Sequence, residues 1–141
     1  MTKINHEQLA SLAVEAKEMA YTPYSNFRVG AALLAKSGKI YTGCNIESAS
    51  YSPTNCAERT AIFKAVSEGD REFLAIAVAG SLGDKEPEYC YPCGVCRQVI
   101  KEFADDKLTV IAAKTAEDYR IHSFGELLPY SFGPNDLQGK D

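Results

Sequence analysis

The 141-residue sequence predicts an α/β domain, in which helices pack on the faces of a partly parallel sheet. Apolar segments of strand length alternate along it with segments whose apolar residues recur at the helical period. The predicted order is α-β-β-α-β-α-β with a terminal β-α, and it contains two strand–helix–strand crossovers. Such crossovers join parallel strands and place helices over the sheet. No repeat or linker interrupts this order, so residues 1–141 are expected to form a single domain.

The first half of the chain predicts a helix and then a β-hairpin. Asn5 is a suitable N-cap with Gln8 at the third helical position, and the helix is expected to end before Pro23. Residues 27–35 and 39–45 are strand candidates joined by a short turn that contains glycine. A polar, irregular loop then leads to the next helix.

The second half predicts alternating helices and strands. The expected elements are a helix from Cys56 to Glu68 with Thr54 or Asn55 as N-cap, a strand at 73–79, a loop at 80–91, a helix starting at Pro92 with Cys93 and Cys96 in its first turn, a strand at 108–113, an edge strand at 119–121, a short helix with a Ser123–Glu126 capping box, and a tail from Tyr130.

Composition and charge restrict the class of protein. Hydrophobic residues make up 45% and charged residues 24%, which is ordinary for a globular protein. Neither a membrane-spanning run nor a signal peptide is recognisable, and five cysteines are an odd number for a disulfide framework. We therefore expect a cytoplasmic protein with reduced thiols. The net charge is −4 and no basic run occurs, so we expect a small-molecule substrate, no nucleic-acid partner and no membrane partner.

Two short segments carry the candidate chemistry. Cys93 and Cys96 have the spacing of paired zinc ligands, and Cys56 offers a third thiol. Three protein ligands leave one coordination position open, as in catalytic zinc sites. Glu58 follows Cys56 by two residues, which is the pattern of zinc-dependent base deaminases. We therefore predict one Zn²⁺ per subunit and a hydrolytic deaminase, with zinc-activated hydroxide as nucleophile and Glu58 as proton shuttle.

Each segment alone has a simpler interpretation. Cys93 and Cys96 could form a thioredoxin-type redox pair, and Cys90 could complete a four-thiolate structural site. Glu58 could be only the capping-box partner of Asn55. The two segments together are far more specific for a catalytic zinc site than either is alone. Cys44 and Cys90 are then expected to be small core or loop residues.

Three thiolates give the zinc centre a net charge of −1, which opposes ionisation of a bound water. A guanidinium about 6 Å away would offset this by roughly 3 kcal/mol at an effective dielectric of about 20. Arg59 and Arg97 both lie next to the ligands in sequence. We take Arg59 as the first choice for electrostatic tuning of the thiolates.

Four segments closely resemble the small cytidine deaminases, and the resemblance extends from the first helix to Pro129. It implies a three-layer α/β/α sandwich with a mixed five-stranded sheet, and a homotetramer with sites shared between subunits. It also implies hydrolysis of cytidine and deoxycytidine to uridine and deoxyuridine in pyrimidine salvage. The segments are Tyr21–Ala32, Gly43–Glu47, Cys56–Arg59 and Pro92–Gln98.

The resemblance also implies roles for individual residues. By position, the zinc ligands would be Cys56, Cys93 and Cys96, with Glu58 as the catalytic proton shuttle. The expected substrate contacts are Phe27 stacked on the pyrimidine, Asn45 and Glu47 on the ribose hydroxyls, the backbone of Ala57 and Cys93 at the base edge, Tyr51, and Phe132 supplied by a neighbouring subunit.

Other functions remain open on the sequence. The nearest is another aminohydrolase on the same scaffold, such as a blasticidin-S deaminase. A nucleic-acid-editing or monophosphate-specific deaminase is disfavoured, because neither a basic groove nor a phosphate-binding cluster is evident. From a different class, a structural zinc domain or a redox domain would have no turnover at all.

Overall fold

The computed structural model describes residues 3–138, which form five α-helices and six β-strands. Within these residues, no helix has both the length and the apolar character needed to cross a membrane. The elements are α1 (His6–Ala16), β1 (Phe27–Ala35), β2 (Ile40–Cys44), α2 (Ala57–Ser67), β3 (Phe73–Leu82), β4 (Glu88–Tyr89), α3 (Gly94–Phe103), β5 (Thr109–Ala113), β6 (Tyr119–Ser123), α4 (Phe124–Leu127) and α5 (Pro134–Gln138).

The strands form one mixed sheet in the order β2-β1-β3-β5-β6. The β1–β2, β1–β3 and β5–β6 pairs are antiparallel, whereas β3 and β5 are parallel. The two-residue β4 pairs with Ala79 and Gly80, beyond the end of the pairing between β3 and β5. The prediction of a mixed sheet with a five-stranded main order is therefore confirmed, with β4 as a sixth, short strand.

Helices cover both faces of the sheet, which confirms the three-layer arrangement. On one face α1 buries Leu9, Ala10 and Ala13 against small residues of the strands. On the other face α2, α3 and α4 form a second core that contains Ile62, Ile100 and Phe124. Because helices cover both faces of the sheet, side chains on both sides of the central strands are buried. These strands are therefore continuous apolar runs in the sequence.

Close packing of α1 on the sheet depends on Gly30. A Cβ atom at this position would lie 2.1 Å from the Ala13 carbonyl oxygen and 2.4 Å from the Lys17 nitrogen. Both are backbone atoms, so a small rotation of a side chain cannot relieve the overlap. Gly30 therefore sets the distance between the first helix and β1.

Several predicted boundaries differ from the structure. The first helix ends at Ala16 and continues as a 3₁₀ turn over Lys17–Met19. Residues 80–82 were expected in a loop but extend β3, because the long β1 supplies partners as far as Phe27. The predicted tail contains the short helix α5. Asn5 as N-cap and the Ser123–Glu126 capping box are confirmed.

Candidate active site

The three predicted zinc ligands meet at the start of two helices. The sulfur atoms of Cys56, Cys93 and Cys96 all lie within 4.8 Å of one another, and those of Cys56 and Cys93 are 3.8 Å apart. Sulfurs that bind one tetrahedral zinc at about 2.3 Å are separated by about 3.8 Å. The three thiols therefore fit a single zinc ion and leave its fourth position to another ligand.

The helix predicted from Cys56 begins one residue later, at Ala57, and the helix predicted from Pro92 begins two residues later, at Gly94. Cys56 and Cys93 are the N-caps of α2 and α3, with extended backbone angles, rather than first-turn residues. Neither thiol makes a capping hydrogen bond, so each remains available to a metal. Because backbone N–H groups at helix N-termini favour negative charge, these positions favour thiolates.

Hydrogen bonding lowers the pKa of the Cys56 thiol. The Cys96 thiol and then the Arg59 guanidinium hydrogen-bond its sulfur and lower the pKa of Cys56 to about 5. Arg59 Nη2 lies 3.3 Å from the Cys56 sulfur. A thiolate at neutral pH is the form in which cysteine binds zinc.

The other candidate arginine, Arg97, is bound to backbone carbonyl oxygens. Arg97 donates from Nε to the Pro92 carbonyl and from Nη1 to the Leu127 carbonyl, both at 2.7 Å. Its guanidinium thus connects the last residue of α4 to the residue that precedes Cys93. The geometry therefore favours Arg59 as the residue that tunes the thiolates, and this role remains a prediction.

Glu58 lies in the first turn of α2 and is only 3% exposed. Burial, together with the nearby sulfur of Cys56, raises the pKa of Glu58 to about 7, while the backbone N–H of Glu58 and the Cys96 thiol oppose the shift. A carboxyl group that titrates near neutral pH can both accept and donate a proton. The position beside the thiols is the one expected of a proton shuttle.

Cys44 and Cys90 are not part of the thiol cluster among the described residues. Burial raises the pKa of both thiols, that of Cys90 to about 12. The Cys90 sulfur instead packs close to Gly80, beside the end of β3. The structure therefore agrees with the expectation of spare core or loop cysteines and does not support a four-thiolate site.

The side chain of Asn45 is hydrogen-bonded to the backbone of β1. Its Oδ1 accepts a hydrogen bond from the Val29 N–H, and its Nδ2 donates to the Phe27 carbonyl, both at 2.8 Å. The ring of Phe27 is 39% exposed. Asn45 keeps one N–H donor for a ligand while it holds the backbone of the residue expected to stack on the pyrimidine.

Glu47 lines a cavity of about 360 Å³. This cavity is also lined by Tyr24, Ser25, Tyr51 and Thr54, and the rings of Tyr24 and Tyr51 make an edge contact with centroids 6.1 Å apart. The structure thus places Glu47 and Tyr51 together.

Ala57 and Phe132 occupy very different surroundings. Ala57 is fully buried directly after Cys56. Phe132 is 59% exposed, and its carbonyl oxygen accepts a hydrogen bond from Gln98 Nε2 at 2.9 Å. The tail is thereby attached to α3 of its own protomer while the ring of Phe132 faces outward.

The sequence reasoning missed the residues that hold the site together. The hydroxyl of Thr60 donates to the Cys56 carbonyl and accepts from Asn55. Because Cys56 itself is the N-cap of α2, the prediction of Thr54 or Asn55 as N-cap is wrong. Ser25 binds Glu47, and Gln98 binds the tail. Of the bonds that Ser25 makes, the one to the Phe27 N–H has a local signal, because a serine hydroxyl commonly accepts from the N–H two residues later.

The chain is similar to known deaminases over most of its length. Residues 3–112 match the family model described as the cytidine and deoxycytidylate deaminase zinc-binding region. A cytidine deaminase from Sporosarcina psychrophila is 50% identical over 131 residues, covering 93% of each chain. A probable cytidine deaminase from Dictyostelium discoideum is 45% identical, covering 95% of this chain and 88% of that protein.

Solved structures agree with these relatives. The crystal structure of cytidine deaminase from Burkholderia pseudomallei superposes with a TM-score of 0.82 at 46% identity. The match covers 92% of this chain and all of that one. Similarity therefore extends to the whole fold that carries the thiols and Glu58.

Proposed function

The chain belongs to the family of cytidine and deoxycytidylate deaminases with a zinc-binding region, and we propose that it hydrolyses cytidine and deoxycytidine to uridine and deoxyuridine with release of ammonia. One observation carries this proposal. Three thiols with the spacing of zinc ligands and a buried carboxyl group converge on one point at the start of α2 and α3.

Cys56, Cys93 and Cys96 would hold the zinc ion. When bound, zinc supplies a water of lowered pKa as the nucleophile. Glu58 takes one proton from the attacking water and delivers it to the pyrimidine ring nitrogen. It then takes the remaining proton from the added hydroxyl group and transfers it to the amino group, which leaves as ammonia while the carbonyl of the product forms. Its pKa near 7 allows it to take either part at neutral pH. Arg59 offsets the charge of the thiolates through its contact with Cys56.

Phe27, Asn45 and Glu47 would orient the nucleoside. Phe27 stacks on the base, while the free donor of Asn45 and the carboxylate of Glu47 bind sugar hydroxyls. The backbone of Ala57 and Cys93 then meets the base edge. Because a pocket built for a hydroxyl strongly rejects an analogue that lacks it, free cytosine should be a very poor substrate.

The active protein is proposed to be a homotetramer that works in the cytoplasm in pyrimidine salvage. Exposed aromatic side chains support an assembly with shared sites. Tyr51 is 71% exposed and Phe132 59% exposed, although both are expected to contact substrate. Each ring would be covered in the assembly, with Phe132 entering the site of a neighbouring subunit.

The test is release of ammonia from cytidine by the purified, zinc-loaded protein. We expect a loss of cytidine absorbance matched by uridine, and little reaction with cytosine. Glu58→Gln should abolish turnover but retain one zinc ion per chain. Comparable turnover of cytosine and cytidine would overturn the roles given to Asn45 and Glu47. No turnover of cytidine would overturn the function itself.

A further inference from the structure

The carboxylate of Glu47 is held by a turn that is distant in sequence. Its Oε1 accepts hydrogen bonds from the backbone N–H groups of Tyr24 and Ser25, at 3.0 and 3.2 Å. Its Oε2 accepts a hydrogen bond from the hydroxyl of Ser25. A carboxylate has about four acceptor positions, so the chain itself occupies three of them and leaves one for a ligand.

The same hydroxyl also reaches the residue expected to stack on the base. Ser25 Oγ accepts a hydrogen bond from the Phe27 N–H at 3.0 Å while it donates to Glu47. The Phe27 carbonyl is held in turn by Asn45. Both backbone polar groups of Phe27 are therefore bound by side chains of the substrate pocket.

We propose that Ser25 is a positioning residue that fixes Glu47 and Phe27 relative to each other, so that the base and the sugar of one nucleoside are bound together. The proposal rests on the proposed function, because it requires that these two residues bind base and sugar. Ser25 does not touch the reacting atoms and acts only through its two partners. With one acceptor position left on Glu47, the carboxylate can receive a single sugar hydroxyl.

The surroundings of Ser25 argue against a purely structural role. Ser25 is exposed, and its hydroxyl links two chain segments that are 22 residues apart. The Ser25 hydroxyl, followed by the two backbone N–H groups, lowers the pKa of Glu47. An ionised carboxylate in a fixed orientation is what a sugar hydroxyl needs as an acceptor.

The test compares Ser25→Ala and Ser25→Thr with Ser11→Ala, a serine removal on the exposed side of α1. Ser25→Ala should raise the KM for cytidine about tenfold and change kcat less than about twofold, since one charge-assisted hydrogen bond is lost. Ser25→Thr retains the hydroxyl and should restore KM. An unchanged KM in Ser25→Ala, or a fall in kcat alone, would overturn the proposal.

A double-mutant cycle separates action through Glu47 from an independent effect. In a Glu47→Ala background, Ser25→Ala should lower kcat/KM much less than it does in the wild type. If the losses in kcat/KM from Ser25→Ala and Glu47→Ala multiply in the double variant, the proposal is contradicted.

An NMR titration of the Glu47 carboxyl group, assigned by its absence in Glu47→Gln, needs no turnover. Its pKa should rise in Ser25→Ala, and an unchanged pKa would overturn the link even if cytidine proved not to be the substrate. A rise in pKa without cytidine turnover in the wild type would retain the link and reject the proposed function.

Discussion

Arg59→Ala should slow the turnover of cytidine while zinc stays bound. Arg59 Nη2 is 3.3 Å from the Cys56 sulfur. Two unit charges at this distance interact by about 5 kcal/mol at an effective dielectric of about 20. Arg59 is partly exposed, so the net value for a hydrogen bond to a charged group, about 1.5–3 kcal/mol, is the better measure. If most of this interaction free energy stabilises the transition state, kcat in Arg59→Ala falls about 10- to 100-fold.

The assay is steady-state turnover with zinc content measured on the same samples. Arg59→Lys keeps the charge but loses the fork of donors, so its loss of kcat should be smaller. Arg71→Ala, which removes an exposed arginine after α2, is the matched control and should behave like the wild type. A kcat within about twofold of the wild type in zinc-loaded Arg59→Ala would show that Arg59 does not tune the thiolates.

Two further predictions concern packing and pH. Gly30→Ala should lower the free energy of unfolding by about 3 kcal/mol, because its Cβ would overlap backbone atoms of Ala13 and Lys17. Denaturant unfolding checks this, and Gly94→Ala, whose Cβ would meet nothing within 4 Å, should not be destabilised. The pKa of Glu47 lies below its ordinary value because of the Ser25 hydroxyl and two backbone N–H groups, so its contribution to stability is present above about pH 4.3 and is lost as the pH falls through the lowered pKa. The KM for cytidine should accordingly rise only in that acidic range, and a rise between about pH 6 and 7 that disappears in Glu47→Gln would contradict the lowered pKa.

The sequence predicted the elements whose signals are local. Helical periodicity, the hairpin turn and the Asn5 cap all depend on neighbouring residues, and the structure contains them. The cysteine spacing likewise predicted that the thiols of Cys56, Cys93 and Cys96 lie together, and in the structure they do. Cysteine is chemically distinctive and rare, so its spacing carries information without knowledge of the packing.

Features that depend on a distant partner could not be predicted. The extension of β3 to Leu82 depends on its register with Phe27, because polar residues at a strand end signal a loop unless a neighbour pairs with them. Arg59 and Arg97 have similar positions near a ligand, yet carbonyl oxygens of Pro92 and Leu127 hold the second one. Likewise, no local pattern indicates that Ser25 would bind Glu47.

The central claim is that water replaces the amino group of cytidine at this site. The most direct measurement is incubation of zinc-loaded protein with cytidine in ¹⁸O-labelled water, with mass spectrometry of the nucleoside and an assay of ammonia. We expect uridine that carries one heavy oxygen, with one ammonia released for each uridine formed. Cytidine recovered unchanged, or uridine without the label, would contradict it.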